Sequence, residues 1–201
     1  MKAIYSMIAM LIMMSLASCT AEGNDPVENS SSTYFLENTY GARSVAYEEN
    51  NSDNLNLNEL PAISLSEADG ILSSLRKHTN AKEELDIQAA TRGEQTLLKI
   101  SMVQTINSKY TFTIQLNMNS YSDGSLYYSG YTATCSSSLM KWYLKGFSLS
   151  SDNTTGNYKF ESQSYIYMKV VSDGIKYIQI PVSIKGTYNP SNHNAAFTYS
   201  L

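Results

Sequence analysis

The sequence predicts a mainly β fold: one N-terminal α-helix, then seven to eight antiparallel strands in sequential hairpins. These strands form a curled sheet, a barrel-like sheet or a two-layer sandwich. Three observations lead there. The stretch "YTFTIQLNMNSY" alternates apolar and polar residues without a fault, the period-2 pattern of a strand with one buried and one wet face. Asp123-Gly124 and Asp173-Gly174 are strong hairpin signals between such runs. The turns "RGE", "NSK" and "NPSNHN" separate further runs, and connections this short exclude parallel crossovers. Eight long strands need a curl or closure to protect their edges.

The N-terminus reads as an address. Lys2 precedes the apolar run of residues 3–17. That length suits a signal peptide and falls short of the ~20 residues of a spanning helix. The run ends Leu16-Ala17-Ser18-Cys19, which resembles the bacterial lipobox. The resemblance implies that residues 1–18 are a lipoprotein signal peptide, that cleavage falls before Cys19, and that its thiol carries a diacylglycerol. One acyl chain binds a bilayer marginally and two or three hold it firmly, at ~0.8 kcal/mol per buried methylene. The expected location is therefore the cell envelope, lipid-anchored at the outer membrane, with the bilayer as a partner through acylated Cys19.

Residues 19–60 read as the lipidated cysteine and a flexible acidic tether, and residues 61–201 as a single β-rich domain with a leading helix. Within the tether, "TAEGNDPVENSSS" is small and polar. Residues 33–50 add an edge strand or wrap the domain, and within them "TYFLENTYGARSVAY" is the candidate for a donor strand. "NSDNLNLNELP" reads as loop. The helix begins at Ser64, whose spacing to Glu67 is that of a capping box. Leu65, Ala68, Ile71, Leu72 and Leu75 mark its apolar face, and Arg76, Lys77 and His78 suit the negative end of the macrodipole. Gly70 inside it costs ~1 kcal/mol relative to Ala, so it implies a packing reason or a weaker helix.

Further strands read at 84–91, 95–106, 141–150 and 195–201. A two-residue loop at Asp123-Gly124 sets Ser122 against Ser125, and hence Leu116 against Tyr131, Ile114 against Ala133 and Phe112 against Cys135. The same register puts Tyr128 opposite Asn119. A like loop at Asp173-Gly174 sets Ser172 against Ile175, Tyr167 against Ile180 and Tyr165 against Val182. Both faces of this second hairpin are apolar, so both are covered or one is an interaction patch. Pro181 argues for an edge, a bulge or a strand end.

Charge divides the chain. Residues 19–94 hold fourteen acids against five bases, and residues 95–201 four acids against eight lysines. The lysines are spaced singly along strands, the look of a solvated β face, which argues against nucleic-acid binding. Once Cys19 is acylated, Cys135 has no partner, and no disulfide or cysteine-based metal site forms within one chain. Facing the core, Cys135 is expected to be an unreactive thiol.

No nucleophile elbow, zinc-binding H-E-x-x-H, P-loop or G-x-G-x-x-G occurs, so no catalytic residue, metal ligand or cofactor is assigned. His78 sits at a helix end and His193 in a turn. Among the acids of the β region, Asp123, Asp152 and Asp173 sit in Ser-Asp turns, leaving Glu161 alone on a strand for glycosidase chemistry, which needs two carboxylates. The 16 tyrosines are the other resource, twelve of them after residue 109. Rings beside polar side chains suit a glycan. The candidate ligand-binding residues are Asn117 and Asn119 on the polar face of their strand, with Tyr128, Trp142 and Tyr143.

The lipobox, then "LPAISLSEADGILSSLRKHTNAKEEL" and Tyr-rich hairpins, is similar to small lipoproteins of gut Bacteroidales, known mostly as domains of unknown function. The resemblance implies an envelope location and carries over no site residues. The expected function is a non-enzymatic, membrane-anchored binding module for a glycan or protein partner. The alternatives are a structural, adhesin or pilus-type assembly component and a glycoside hydrolase-like enzyme.

Overall fold

The computed structural model describes residues 33–46, 55–152 and 154–201. The expected signal peptide, Cys19 and the expected tether through residue 32 lie outside the described residues. Helix α1 (Tyr34–Tyr40) and strand β1 (Arg43–Val45) come first. A 3-10 turn (Leu57–Glu59), β2 (Ala62–Ser64) and helix α2 (Leu65–Arg76) follow. Eight strands complete the chain: β3 (Lys82–Arg92), β4 (Gln95–Ile106), β5 (Tyr110–Tyr121), β6 (Leu126–Cys135), β7 (Lys141–Ser151), β8 (Tyr158–Ser172), β9 (Gly174–Asn189) and β10 (Asn194–Ser200).

The strands form two sheets that do not close into a barrel. The first is the antiparallel meander β3-β4-β5-β6. The second is built on the long β8–β9 hairpin. One edge of β9 is shared by β1 and β10, and the free edge of β8 by β7 and β2. The apolar faces of both sheets meet in one core with α1 and α2. Ile114, Leu116 and Met118 of β5 lie in it with Ile166, Met168 and Val170 of β8. Ala68, Ile71, Leu72 and Leu75 bring the helix face predicted for α2 into the same core. Ser64 caps that helix, its Oγ accepting from the Glu67 amide at 3.1 Å.

Several expectations need correction. The tether does not run to residue 60. Leu36 and Tyr40 are buried in the core, and a left-handed Gly41 closes the short α1 that carries them. Chain then continues into β1, which pairs with Arg43 against Gln179. Leu57 and Leu60 pack on Tyr167 in a second, smaller cluster. That cluster covers the outer face of the second sheet around Tyr167, whereas nearer the β8–β9 tip Val171 and Ile175 stay exposed. Parallel pairing also occurs: β2 lies parallel to β8, with Ile63 against Val170. The short hairpins exclude crossovers only between consecutive strands, and β2 is far from β8 in sequence.

The Asp173-Gly174 register is off by one. Ser172 faces Gly174, Tyr167 faces Gln179 and Tyr165 faces Pro181. A one-residue slip moves every side chain to the other face. The observed register puts Ile166 against Ile180 and Met168 against Ile178 in the core, so apolar burial overrides the preferred turn. Pro181 fits because the first residue of β1, Arg43, lies opposite Gln179 and the last residue of β10, Ser200, lies opposite Ser183. It therefore occupies the stretch of β9 with no strand on that edge. Gly70, finally, has no packing reason: nothing lies within 4 Å of a Cβ built there.

Candidate binding face

The outer face of the meander sheet is where β5 presents its polar residues. Alternation turns Phe112, Ile114, Leu116 and Met118 into the core and leaves Thr113, Gln115, Asn117 and Asn119 outward. Their neighbours come from register. Gln115 stands between Ser101 and Thr132, and Asn117 between Lys99 and Gly130. Asn119 stands between Leu97 and Tyr127. The amides form a ladder along the strand: Gln115 Nε2 donates to Asn117 Oδ1 at 2.9 Å, and Gln115 Oε1 accepts from Ser101 Oγ at 3.5 Å. A side-chain amide has two donors and two acceptor sites, so Asn119 and the Asn117 amino group keep hydrogen-bonding capacity toward solvent.

The β5–β6 connection decides which ring joins them. Ser122, Asp123 and Gly124 form a three-residue loop, with Gly124 at φ +82° and its amide on the Tyr121 carbonyl at 3.0 Å. Asp123 caps the loop, accepting from the Ser125 amide at 2.8 Å and from its hydroxyl at 2.5 Å. These bonds, chiefly those from Ser125, lower the carboxyl pKa. The longer loop shifts the pairing by one residue near the turn. A bulge at Ser129 then restores it, and the Ser129 hydroxyl donates to the Asn117 carbonyl at 3.0 Å. The three predicted pairs beyond the bulge therefore hold: Leu116–Tyr131, Ile114–Ala133 and Phe112–Cys135.

Between bulge and turn the faces exchange. Tyr128 opposes Met118, not Asn119, and stacks on Phe147 with ring centroids 5.8 Å apart. Burial, ahead of Tyr131, raises its phenol pKa. Tyr127 takes the outward place opposite Asn119, with 60% of its surface exposed. It meets Tyr121 edge to face at 5.5 Å. Gly130, at φ +154°, adds no side chain and leaves a gap beside Asn117.

Trp142 does not widen this platform. It is buried, donates from Nε1 to Ser164 Oγ at 3.0 Å, and meets Phe112 edge-on at 5.1 Å. Tyr143 packs with the Leu57 cluster on the second sheet. Asn117 and Asn119 are thus brought together with Tyr127 and Tyr121, and separated from Tyr128, Trp142 and Tyr143. Sequence reading missed Tyr127, Tyr121 and Lys99. The available signal was Gly130, since an isolated strand glycine often marks a bulge.

The chemistry here is uncharged hydrogen bonding beside aromatic surface. Lys99 is the one charge beside Asn117, and the acids Glu84 and Asp86 stand two strands away on β3. Elsewhere, Glu161 opposes Ser148 and Lys185 across the strands, and no carboxylate stands on its rung or the next. His78 stacks on Tyr199 at 4.5 Å, and His193 lies 3.4 Å from the Tyr188 hydroxyl. Among the described residues no group of His, Cys, Asp or Glu is placed to hold a metal, and no helix is long and apolar enough to cross a membrane.

Comparison with known proteins gives one relationship. The family described as "Domain of unknown function (DUF5033)" matches residues 25–201. No curated protein and no solved structure matches the chain.

Proposed function

We propose that this chain, which belongs to the family described as Domain of unknown function (DUF5033), is a non-enzymatic binding module of the cell envelope. It is held at the outer membrane by acyl chains on Cys19 and takes a neutral glycan on the outer face of the meander sheet. One observation carries the reading: Tyr127 stands exposed opposite Asn119, beside an amide ladder with unused hydrogen-bonding groups. A sugar offers an apolar ring face for the aromatic and hydroxyls for the amides. The lipobox-like ending at Cys19 supports the anchoring.

The assembly alternative loses its motive, since the only candidate donor segment is packed: Leu36, Tyr40 and Ala42 sit in the core and Arg43–Val45 pair with β9. The test is a screen of neutral oligosaccharides with the wild-type chain and Asn119→Ala. Binding is expected, weakened at least tenfold by the substitution. Equal binding by both proteins, or none by the wild type, removes the reading.

Anchoring has its own check. Cys19→Ser is expected to move the protein from the membrane fraction to the soluble one. Retention after a salt wash contradicts the anchor.

A further inference from the structure

The second sheet has an outer half that the Leu57 cluster leaves bare. Strands β7, β8, β9 and β10 cross it in register. Its middle rung reads Ser148, Glu161, Lys185, Thr198. The rungs on either side bring Lys145 and Lys159. A bulge shapes the site. Gly146, at φ +68°, and Phe147 together oppose a single residue of β8, which sends Phe147 toward the core and Ser148 outward.

Two depressions result. One of about 520 Å³ lies over the middle and Lys159 rungs. A neighbour of about 600 Å³ lies toward Lys145 and shares Ser148, Glu161 and Lys185 with it. Together they make a furrow that runs along the strands, from the Lys159 rung to the Lys145 rung.

The charge of this face is set by folding. Lys145, Lys159 and Lys185 stand on the outward positions of this bare half, with Glu161 as the one acid among the strands there; Lys141, on the roofed half, pairs with Glu59 at 3.7 Å. The whole chain carries a net charge of −4, so a positive face on it is an asymmetry. Lys159 is paired with Asp152 at 3.2 Å, whereas Lys145 and Lys185 form no ion pair among the described residues.

The geometry points to an acidic saccharide, a chain of hydroxylated sugars bearing carboxylates, lying in this furrow with its charges on Lys145 and Lys185. Hydroxyls of Ser148 and Thr198 match sugar hydroxyls, and ammonium groups match carboxylates. Single-stranded nucleic acid stacks its bases on a platform of aromatic rings, and the three rungs here carry none, Tyr165 standing at the furrow's end. A lipid surface is flat and does not fill a depression. The site is on the opposite sheet from Tyr127 and does not depend on the neutral-glycan reading.

The experiment is titration of the full chain, in detergent, with polygalacturonate and with uncharged dextran. Polygalacturonate binds and dextran does not, and binding weakens as salt screens the lysines. The double variant Lys145→Gln, Lys185→Gln loses affinity at least tenfold. Glu161→Gln gains affinity severalfold, a change that misfolding does not produce. Lys109→Gln, the same loss of charge in the β4–β5 turn, leaves affinity unchanged. The proposal is overturned if polygalacturonate does not bind, if the double variant binds as well as wild type, or if Glu161→Gln fails to tighten binding. It is also overturned if vesicles of phosphatidylglycerol compete polygalacturonate away regardless of Lys145 and Lys185.

Discussion

Gly186 shows how one residue type can be dictated by a neighbour. The Phe160 ring of β8 crosses directly over it, so a Cβ there would stand inside the ring. Overpacking of this kind typically costs 1–3 kcal/mol. Gly186→Ala is expected to lower the unfolding free energy by roughly that amount, read as a lower denaturant midpoint with the m-value unchanged. Phe160→Leu in the same chain is expected to return part of it, because contacting residues couple. Tyr40 makes a pH-dependent contribution. Its hydroxyl donates to Asp69 Oδ1 at 2.7 Å, and burial, then the Asp69 carboxylate, pushes the phenol pKa from 10.0 up to about 12. A pKa raised on folding adds stability that is complete below the unfolded value and lost above it. Stability should therefore fall between about pH 10 and pH 12, and Tyr40→Phe should make that fall shallower. Chemical denaturation at a series of alkaline pH values reads both. Cys135 follows the same logic: it packs beside the core opposite Phe112, and burial raises its thiol pKa. Alkylation of the folded protein at pH 8 should be slow compared with the unfolded chain, since the thiolate is the reactive form. Equal rates would show the register to be wrong.

The elements show what the sequence made legible. Helix α2 was readable from its capping Ser64 and from apolar spacing, because both signals are local. Its weak point was readable too: Gly70 is exposed and an added Cβ would meet nothing, so Gly70→Ala should stabilise the protein by about 1 kcal/mol. Strand β5 was equally plain, since perfect alternation admits one facing. The turns were harder. At Asp123-Gly124 a three-residue loop and the bulge at Ser129 shift the register in opposite senses, so the distant pairs came out right while Tyr127 and Tyr128 exchanged roles. At Asp173-Gly174 nothing compensates, and the core pairs Ile166–Ile180 and Met168–Ile178 override the turn. Helix α1 was hidden because its seven residues are too few for periodicity to show, and it is held largely by tertiary contacts, the burial of Leu36 and Tyr40 and the bonds from Tyr40 to Asp69 and from Arg76 to the Thr39 carbonyl. The parallel β2–β8 pair was hidden because a long-range contact leaves no mark in either short segment. Of the candidate site, the amides of Asn117 and Asn119 were legible and their aromatic partner was not.

At the scale of the molecule, the two sheets share one core but turn chemically different faces outward. The meander sheet shows amides, hydroxyls and two tyrosines on β5 and β6, with its charged side chains on β3 and β4. The second sheet shows lysines, half of it roofed by residues 55–60. Lysines that look evenly spaced in sequence are collected on one side because outward positions recur every second residue. The central claim, that the amide-and-tyrosine face binds a neutral glycan, depends on which of two adjacent tyrosines points outward. The direct measurement is the affinity of the same neutral oligosaccharide for wild type, Tyr127→Ala and Tyr128→Ala, with the unfolding midpoint of each. Tyr127→Ala is predicted to lose at least tenfold in affinity while costing under about 0.5 kcal/mol in stability, as exposed substitutions usually do. Tyr128→Ala is predicted to keep the affinity and lose stability, because its ring packs on Phe147. Unchanged affinity in Tyr127→Ala, or its loss in Tyr128→Ala alone, would contradict the account.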